Sequence, residues 1–350
     1  MSLRIGVVGA SYAAATHLPA YAGLAADGVA EVVAVATSRR ETADAAARRF
    51  GVPTAHVGFE ALCADPDVDL VDVVTRPSRH RAMAEAALAA GKHVLVEAPL
   101  AATAADGAAL EVAAAKADRS GVVDMQSRFW PGLAELHRLV HDGYLGRVQN
   151  VVATAFYPTF TQPAAVASSG WCADATTGAS TLRVHGLHTT DLIRWVFGDL
   201  TGVRGVTATR AETWPGPTGP IPATSADSAA YTALIAGGPG AGAVCSLHTS
   251  WVARFGSGWR LTAYGSDGVL VASADGHTGH FPVRLDGART SDPGLQTLVT
   301  PDPALPATYP FAQLIRTLAA QLTAGAPAGG DVPTFADGLA ALRIAAAVES

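Results

Sequence analysis

Leu3-Arg4-Ile5-Gly6-Val7-Val8-Gly9-Ala10-Ser11-Tyr12-Ala13-Ala14 stands at the head of the chain, and its reading decides the fold. A short apolar run ends at Gly9 and gives way to an Ala-rich helical stretch reaching about Gly28. A strand that is apolar throughout is covered on both faces, as in a parallel sheet. The turn follows G-x-G-x-x-G/A, with Gly9 first, Ser11 in the middle place and Ala14 third. The middle glycine normally lets backbone approach a pyrophosphate. Serine is the next-smallest polar choice, and its hydroxyl can donate to a phosphate. The N-terminus of the helix beyond it offers free N–H groups and partial positive charge to the same anion. Strand, turn and helix in that order form a dinucleotide-binding signature.

Outward from this stretch the pattern repeats. Residues 31–37, 69–75, 93–96 and 121–125 are β-rich, and 41–50, 79–90 and about 104–119 are helical. Strands alternating with helices mean βαβ units on a parallel sheet. After about residue 145 the character changes. Strand-like runs follow one another at 148–160, 202–213, 228–236, 241–252, 259–264 and 269–273, with helices at 186–197, 311–323 and 335–348. The Pro/Gly-rich segments 215–222 and 324–333 read as loops. The expected fold class is α/β: an N-terminal Rossmann domain with a parallel sheet, then an α+β domain with a large, mostly antiparallel open sheet. The expected boundaries are 1–125 and 126–350, with the last helix packing back on the first domain.

Composition agrees with a folded chain. Of 350 residues 49% are hydrophobic and 15% charged, so a large core can be buried. The net charge of −6 and the lack of a basic run argue against direct nucleic-acid contact. No apolar run reaches the roughly 18 residues of a membrane span. Cys63, Cys172 and Cys245 are odd in number and far apart, as expected of buried reduced thiols in a cytoplasmic protein.

The second strand ends at Thr37-Ser38-Arg39-Arg40, where an acidic residue would grip the ribose 2′-hydroxyl of NAD. Hydroxyls and guanidinium groups there suit a 2′-phosphate instead, so NADP(H) is expected over NAD(H).

Four further motifs resemble the Gfo/Idh/MocA oxidoreductase family in order. Val73-Val74-Thr75-Arg76-Pro77-Ser78-Arg79-His80 is similar to its strand-end ATPPxxH, and the run from Ala89 through Glu97-Ala98-Pro99-Leu100 to AGKHVLxEKPL. Gly143–Val148 resembles the entry to the second domain, and Gly186-Leu187-His188-Thr189-Thr190-Asp191 its G-x-H-x-x-D. Two departures stand out. The resemblance places a lysine beside the nicotinamide where this chain has Ala98, and often an aspartate where it has Val184. Alanine and valine side chains exchange no protons. The turn at Gly9-Ala10-Ser11, Thr16-His17-Leu18-Pro19-Ala20 and Val96-Glu97-Ala98-Pro99-Leu100-Ala101 are similar to the family's galactose-repressor-like branch.

By that resemblance the cofactor lies against Gly9, Ala10, Ser11, Tyr12, Thr37, Ser38, Arg39, Arg40, Thr75, Arg76, Pro77, His80, Glu97, Ala98, Gln126 and Arg128. His188 aligns with the proton-transferring histidine and is the expected acid/base; Glu97 and Tyr157 are the other catalytic candidates. His185, three residues before His188, shares its helical face. Trp171 is a candidate wall of the substrate pocket. Asp191 either braces His188 or a helix N-terminus, or acts directly. Arg183 either binds an acidic substrate or faces water. No third ligand stands at recognisable spacing from His185 and His188, so no metal is expected. The expectation is an NAD(P)-dependent oxidoreductase acting on a sugar-like or polyhydroxylated cyclic substrate, homo-oligomeric through its C-terminal sheet. Two alternatives stay open. One is a catalytically silent NADP-binding regulator with a protein partner. The other is a lyase or isomerase on the same fold.

Overall fold

The computed structural model describes residues 2–350, which divide into two compact units: residues up to 126 with 308–342, and 127–307 with 343–350. In the first unit β1 (Leu3–Val8), α1 (His17–Ala26), β2 (Ala30–Thr37), α2 (Arg40–Phe50), β3 (Thr54–Val57), α3 (Phe59–Cys63), β4 (Leu70–Val73), α4 (Pro77–Ala89), β5 (His93–Glu97), α5 (Ala104–Ala117) and β6 (Gly121–Asp124) alternate. All six strands are parallel, in the order β3-β2-β1-β4-β5-β6. The strand order reverses between β1 and β4, where open α/β sheets bind ligands at the carboxyl ends.

Local chemistry sets the helix ends. Pro77 opens α4, where its missing N–H costs nothing. The Thr103 side chain accepts from Asp106 N at the start of α5. Gly51, at φ +68°, closes α2 behind Arg48 and Arg49. The helical stretch expected from Ala10 begins only at His17. Residues 10–16 form turns instead, held by Thr16 Oγ1 donating to Tyr12 O at 2.9 Å.

The second unit holds α6 (Pro131–His141), β7 (Val148–Phe156), α7 (Pro163–Ser169), α8 (Leu187–Phe197), β8 (Asp199–Ala208), β9 (Thr213–Gly216), β10 (Gly219–Pro222), β11 (Ser228–Ala236), β12 (Val244–Ser250), β13 (Gly258–Gly265), β14 (Gly268–Ala274), β15 (Arg284–Arg289) and β16 (Gln296–Val299). Eight of its strands form one sheet, β16-β15-β14-β13-β7-β12-β11-β8, antiparallel except where β7 meets β12. The segment 215–222, expected as loop, falls mostly within the β9–β10 hairpin. An isolated two-stranded pair leaves both outer edges free, and there proline removes no ladder bond. Helices α9 (Tyr309–Thr323) and α10 (Phe335–Glu349) end the chain.

The sheet has one covered and one open face. On β11, Ala229, Tyr231, Ala233 and Ile235 are buried, while Thr232 and Leu234 between them are exposed. This is the alternation of a half-buried antiparallel strand. α6 and α8 lie against the sheet.

Candidate functional site

In the first unit a cleft of about 780 Å³ opens at the reversal of strand order. Gly9–Ser11 after β1, Thr37 and Ser38 after β2, and Thr75 and Arg76 after β4 line it. Gly9 has φ +105°, and a Cβ there would stand 2.1 Å from Val74 O. Only glycine fits this approach of two strand ends. The cleft is therefore a cradle for an extended, phosphate-bearing ligand, and the residues present fit a dinucleotide. His80, on α4, lies nearby in sequence: its ring nitrogens are 3.0 Å from Pro99 O and 3.0 Å from the carbonyl oxygen of Thr75, which lines the cleft. Burial lowers its pKa, so it serves as a neutral tie between two loops.

Beside the strand ends lies a second polar group. Strand register pairs Asp72 with Leu95 and Glu97 with Asp124. Side chains alternate along a strand, so Asp72, Glu97 and Asp124 project from one face of the sheet. His17, the first residue of α1, sits among them. Its Nδ1 is 2.8 Å from Asp72 Oδ2, and its Nε2 is 3.1 Å from Glu97 Oε2 and 3.2 Å from Asp124 Oδ2. Burial opposes charge on His17, but Asp72, Asp124 and Glu97 outweigh it and raise its pKa well above the ordinary value. Burial pushes Glu97 up to about 7 against the pull of His17, with Asp124 adding to the rise. Tyr12, an expected cofactor residue, holds its ring edge toward His17 at 6.2 Å. Ala98 brings only its backbone, donating N–H to Glu97 Oε1 at 3.0 Å. Sequence reading passed over Asp72 and Asp124. The available signal was a carboxylate inside an otherwise apolar parallel strand.

The second unit gathers four histidines. A π-helical turn, Leu182–Gly186, carries His185 and leads into α8, which carries His188. Such turns recur at functional sites. His277 and His280 come from the loop between β14 and β15. The His277 ring lies 4.9 Å from His185, 4.7 Å from His188 and 6.0 Å from His280. Tyr157, after β7, stands edge-on to His185 and His277 at 5.3 and 5.6 Å. Burial lowers His185 and His188 to about 3, with His188 and His280 adding for the first and His280 for the second. Burial and the three other histidines hold His277 well below its ordinary value. All three rings are therefore neutral near pH 7, each with one donor and one acceptor nitrogen. Tyr157 Oη, His185 Nδ1, His188 Nδ1 and His277 Nε2 are buried without a hydrogen-bond partner. Buried polar atoms are normally satisfied, so four in one cluster point to a polar ligand. Sequence reading missed His277 and His280. Their signal was two histidines in a Gly-rich loop, Gly276-His277-Thr278-Gly279-His280.

Other expected site residues are spent on the protein itself. Arg128 meets Asp191 through two hydrogen bonds of 2.8 and 2.5 Å, with both side chains buried. Asp191 thus holds Arg128, a partner that neither reading of this aspartate named. Arg183 pairs with Glu349 at 2.6 Å. Val184 and Trp171 pack against the apolar cluster of Phe160, Trp214 and Trp251. The Gln126 amide nitrogen reaches Asp124 Oδ1 at 3.2 Å.

Two family models match this chain. Residues 3–124 match the oxidoreductase family with an NAD-binding Rossmann fold, and residues 133–271 match the GFO/IDH/MocA C-terminal domain. The dTDP-3,4-didehydro-2,6-dideoxy-alpha-D-glucose 3-reductase of Streptomyces violaceoruber is 33% identical over the whole chain and 94% of that relative. The chain belongs to the Gfo/Idh/MocA oxidoreductase family.

This family member resembles the levoglucosan dehydrogenase of Pseudarthrobacter phenanthrenivorans at 27% identity, over 59% of this chain and 54% of the relative. Among solved structures, an oxidoreductase domain protein from Kribbella flavida is 28% identical with a TM-score of 0.87, covering 99% of this chain and 96% of that one. A levoglucosan dehydrogenase in complex with NADH and levoglucosan superposes with a TM-score of 0.88 at 23% identity, over 99% and 96%. Those complexes correct the expectation of NADP(H), since the dinucleotide they hold is NADH. The structure gives a physical reason. Arg40 is turned to Ala55 O at 2.8 Å and Asp44 at 3.3 Å, and Thr37 Oγ1 donates to Arg39 O at 2.8 Å. Arg40 Nη1 and Thr37 Oγ1 are thereby engaged by the protein's own atoms. Among the described residues no helix is long and apolar enough to cross a membrane.

Proposed function

We propose that this chain is an NAD(H)-dependent dehydrogenase of a sugar-like polyhydroxylated substrate, with His188 as its acid/base. The observation that carries the reading is the set of four buried, unpartnered polar atoms around His277. A polyol offers hydroxyls at the spacing of such a cluster and can satisfy donors and acceptors alike. A neutral His188 accepts the hydroxyl proton as a substrate carbinol becomes a carbonyl. His185, His277 and Tyr157 hold neighbouring hydroxyls. Bound in its cleft, the nicotinamide dinucleotide supplies the two-electron hydride acceptor. The residues that would hold it are Gly9, Ala10, Ser11, Thr37, Ser38, Thr75 and Arg76, with Arg39, Pro77 and His80 framing the loops. The glucose-derivative reductase and levoglucosan dehydrogenase among the relatives support the substrate class.

The test is a panel of sugars and anhydrosugars with NAD+ and NADP+, followed at 340 nm. Turnover with NAD+ is expected, and His188→Ala should lower kcat at least 100-fold. Unchanged turnover in that variant removes His188 from the role.

A second reading keeps cofactor binding without turnover, as in the galactose-repressor-like branch. Ala98 and Val184 favour it, since neither supplies a proton. It expects NADH binding, a protein partner and no redox change with any sugar.

We also propose a homodimer through the open face of the eight-stranded sheet. Register places Val152, Val206, Leu234, Val244 and Tyr264 together on that face, and all are exposed. A contiguous apolar patch of this kind marks an association surface. Light scattering should give twice the chain mass, and Val152→Asp with Leu234→Asp should halve it. A wild-type monomer overturns this.

A further inference from the structure

Three ligand atoms converge in the first unit: His17 Nε2, Glu97 Oε2 and Asp124 Oδ2. The nitrogen lies 3.1 Å from the first oxygen and 3.2 Å from the second, and all three atoms fall within 4.8 Å of one another. Metal–ligand bonds of about 2.1 Å set adjacent ligands about 3.0 Å apart in an octahedron and about 3.4 Å apart in a tetrahedron. We propose that these side chains hold a divalent first-row transition ion of the zinc class, with Asp72 orienting His17.

Four observations carry this. First, Asp124 is fully buried and its Oδ2 has no hydrogen-bond donor. A hydrogen on His17 Nε2 bonds Glu97 Oε2 and leaves Asp124 Oδ2 only an ion-pair contact with that nitrogen at 3.2 Å, whereas one cation satisfies all three atoms. Second, the other oxygen of each carboxylate is already held. Ala98 N donates to Glu97 Oε1, and the Gln126 amide nitrogen lies at hydrogen-bond distance from Asp124 Oδ1. Each carboxylate therefore turns a single oxygen inward. Third, Asp72 Oδ2 takes the Nδ1 side of His17 at 2.8 Å and also accepts from the Tyr21 hydroxyl at 3.0 Å. A carboxylate behind the imidazole fixes the tautomer that presents Nε2 to a metal. Fourth, Glu97 and Asp124 are direct cross-strand partners. Like charges so placed repel, and a cation between them reverses the sign.

The ligand types select the ion. One imidazole with two carboxylates suits zinc-like ions, while magnesium and calcium favour all-oxygen shells. The Phe311 ring covers His17 at 4.1 Å, and the Glu97 side chain, 16% exposed, leaves an entry. Sequence spacing hid this site because its ligands come from α1, β5 and β6. The proposal does not depend on the sugar reading, and no sugar or nucleotide enters its test.

The full chain, freed of any affinity tag and stripped with EDTA, is titrated with zinc chloride by calorimetry. One zinc per chain at micromolar affinity or tighter is expected, with a rise in melting temperature and no displacement by millimolar magnesium. Asp124→Asn should weaken binding at least 100-fold while the metal-free protein melts no lower than wild type, because a like charge has gone. Asp72→Asn keeps all three ligands and should weaken binding about 10–100-fold. His188→Ala, in the other unit, should leave zinc binding unchanged. Absence of stoichiometric zinc from the wild-type chain overturns the proposal. So does a zinc site lost in His188→Ala and kept in Asp124→Asn.

Discussion

Asp191→Ala tests whether the buried pair with Arg128 is architecture or chemistry. The substitution deletes two acceptors that face a guanidinium whose side chain is 2% exposed, removing bonds of 2.8 and 2.5 Å. Breaking one side of a buried pair costs about 3–5 kcal/mol, since the remaining charge stays in a poorly solvated place. For a unit of 150–250 residues each kcal/mol moves the midpoint by about 2–4 °C, so a fall of about 6–20 °C is expected in calorimetry. The double variant Arg128→Met with Asp191→Leu should recover most of this loss. A buried pair replaced by apolar side chains of similar volume is often neutral or better. Binding of NADH, measured by fluorescence below the transition, should change less than threefold. The reasoning fails if Asp191→Ala melts within about 2 °C of wild type while turnover collapses. Asp191 would then act on substrate.

Three further outcomes are expected. The pKa values of His185 and His188 lie near 3, below the ordinary 6.5, so the unfolded chain takes up protons that the native state refuses as pH falls. Their contribution to stability is complete above 6.5 and is lost between there and about 3. Wild type should therefore lose more melting temperature than His188→Ala between pH 7 and 5, and parallel curves would refute the shift. Gly9→Ala forces a Cβ to within 2.1 Å of Val74 O at φ +105°. It should weaken NADH at least tenfold, with about 1–3 kcal/mol of destabilisation in urea titration. Arg39→Ala, at an exposed residue beside the cleft, should change NADH affinity less than twofold and leave NAD(H) preferred over NADP(H). A large loss would return a phosphate-binding role to that arginine.

Much of the fold was legible because the signals were local. The apolar runs at 3–8 and 93–97 have strand length, and Gly51 ends a helix by a backbone conformation that glycine adopts freely. β15, β16 and the β9–β10 hairpin were not legible. β9, β10 and β16 have four residues each, β15 is charged and glycine-bearing, and pairing holds them more than their own propensity does. The cofactor preference misled for a related reason. Arg40 reads as a phosphate ligand until its partners, Asp44 and Ala55 O, are seen.

The sequence by itself determined the parallel first unit, the glycine turn of the cleft and the place of His188 at the head of a helix. Each depends on residues adjacent in the chain. The tertiary structure alone decided which titratable groups meet. His277 reaches His188 from a loop nearly ninety residues away, and strand register sets Glu97 against Asp124 beneath His17. Charge and burial act through space with a strength set by distances of a few ångströms. No spacing along the chain encodes those distances until the sheet has closed.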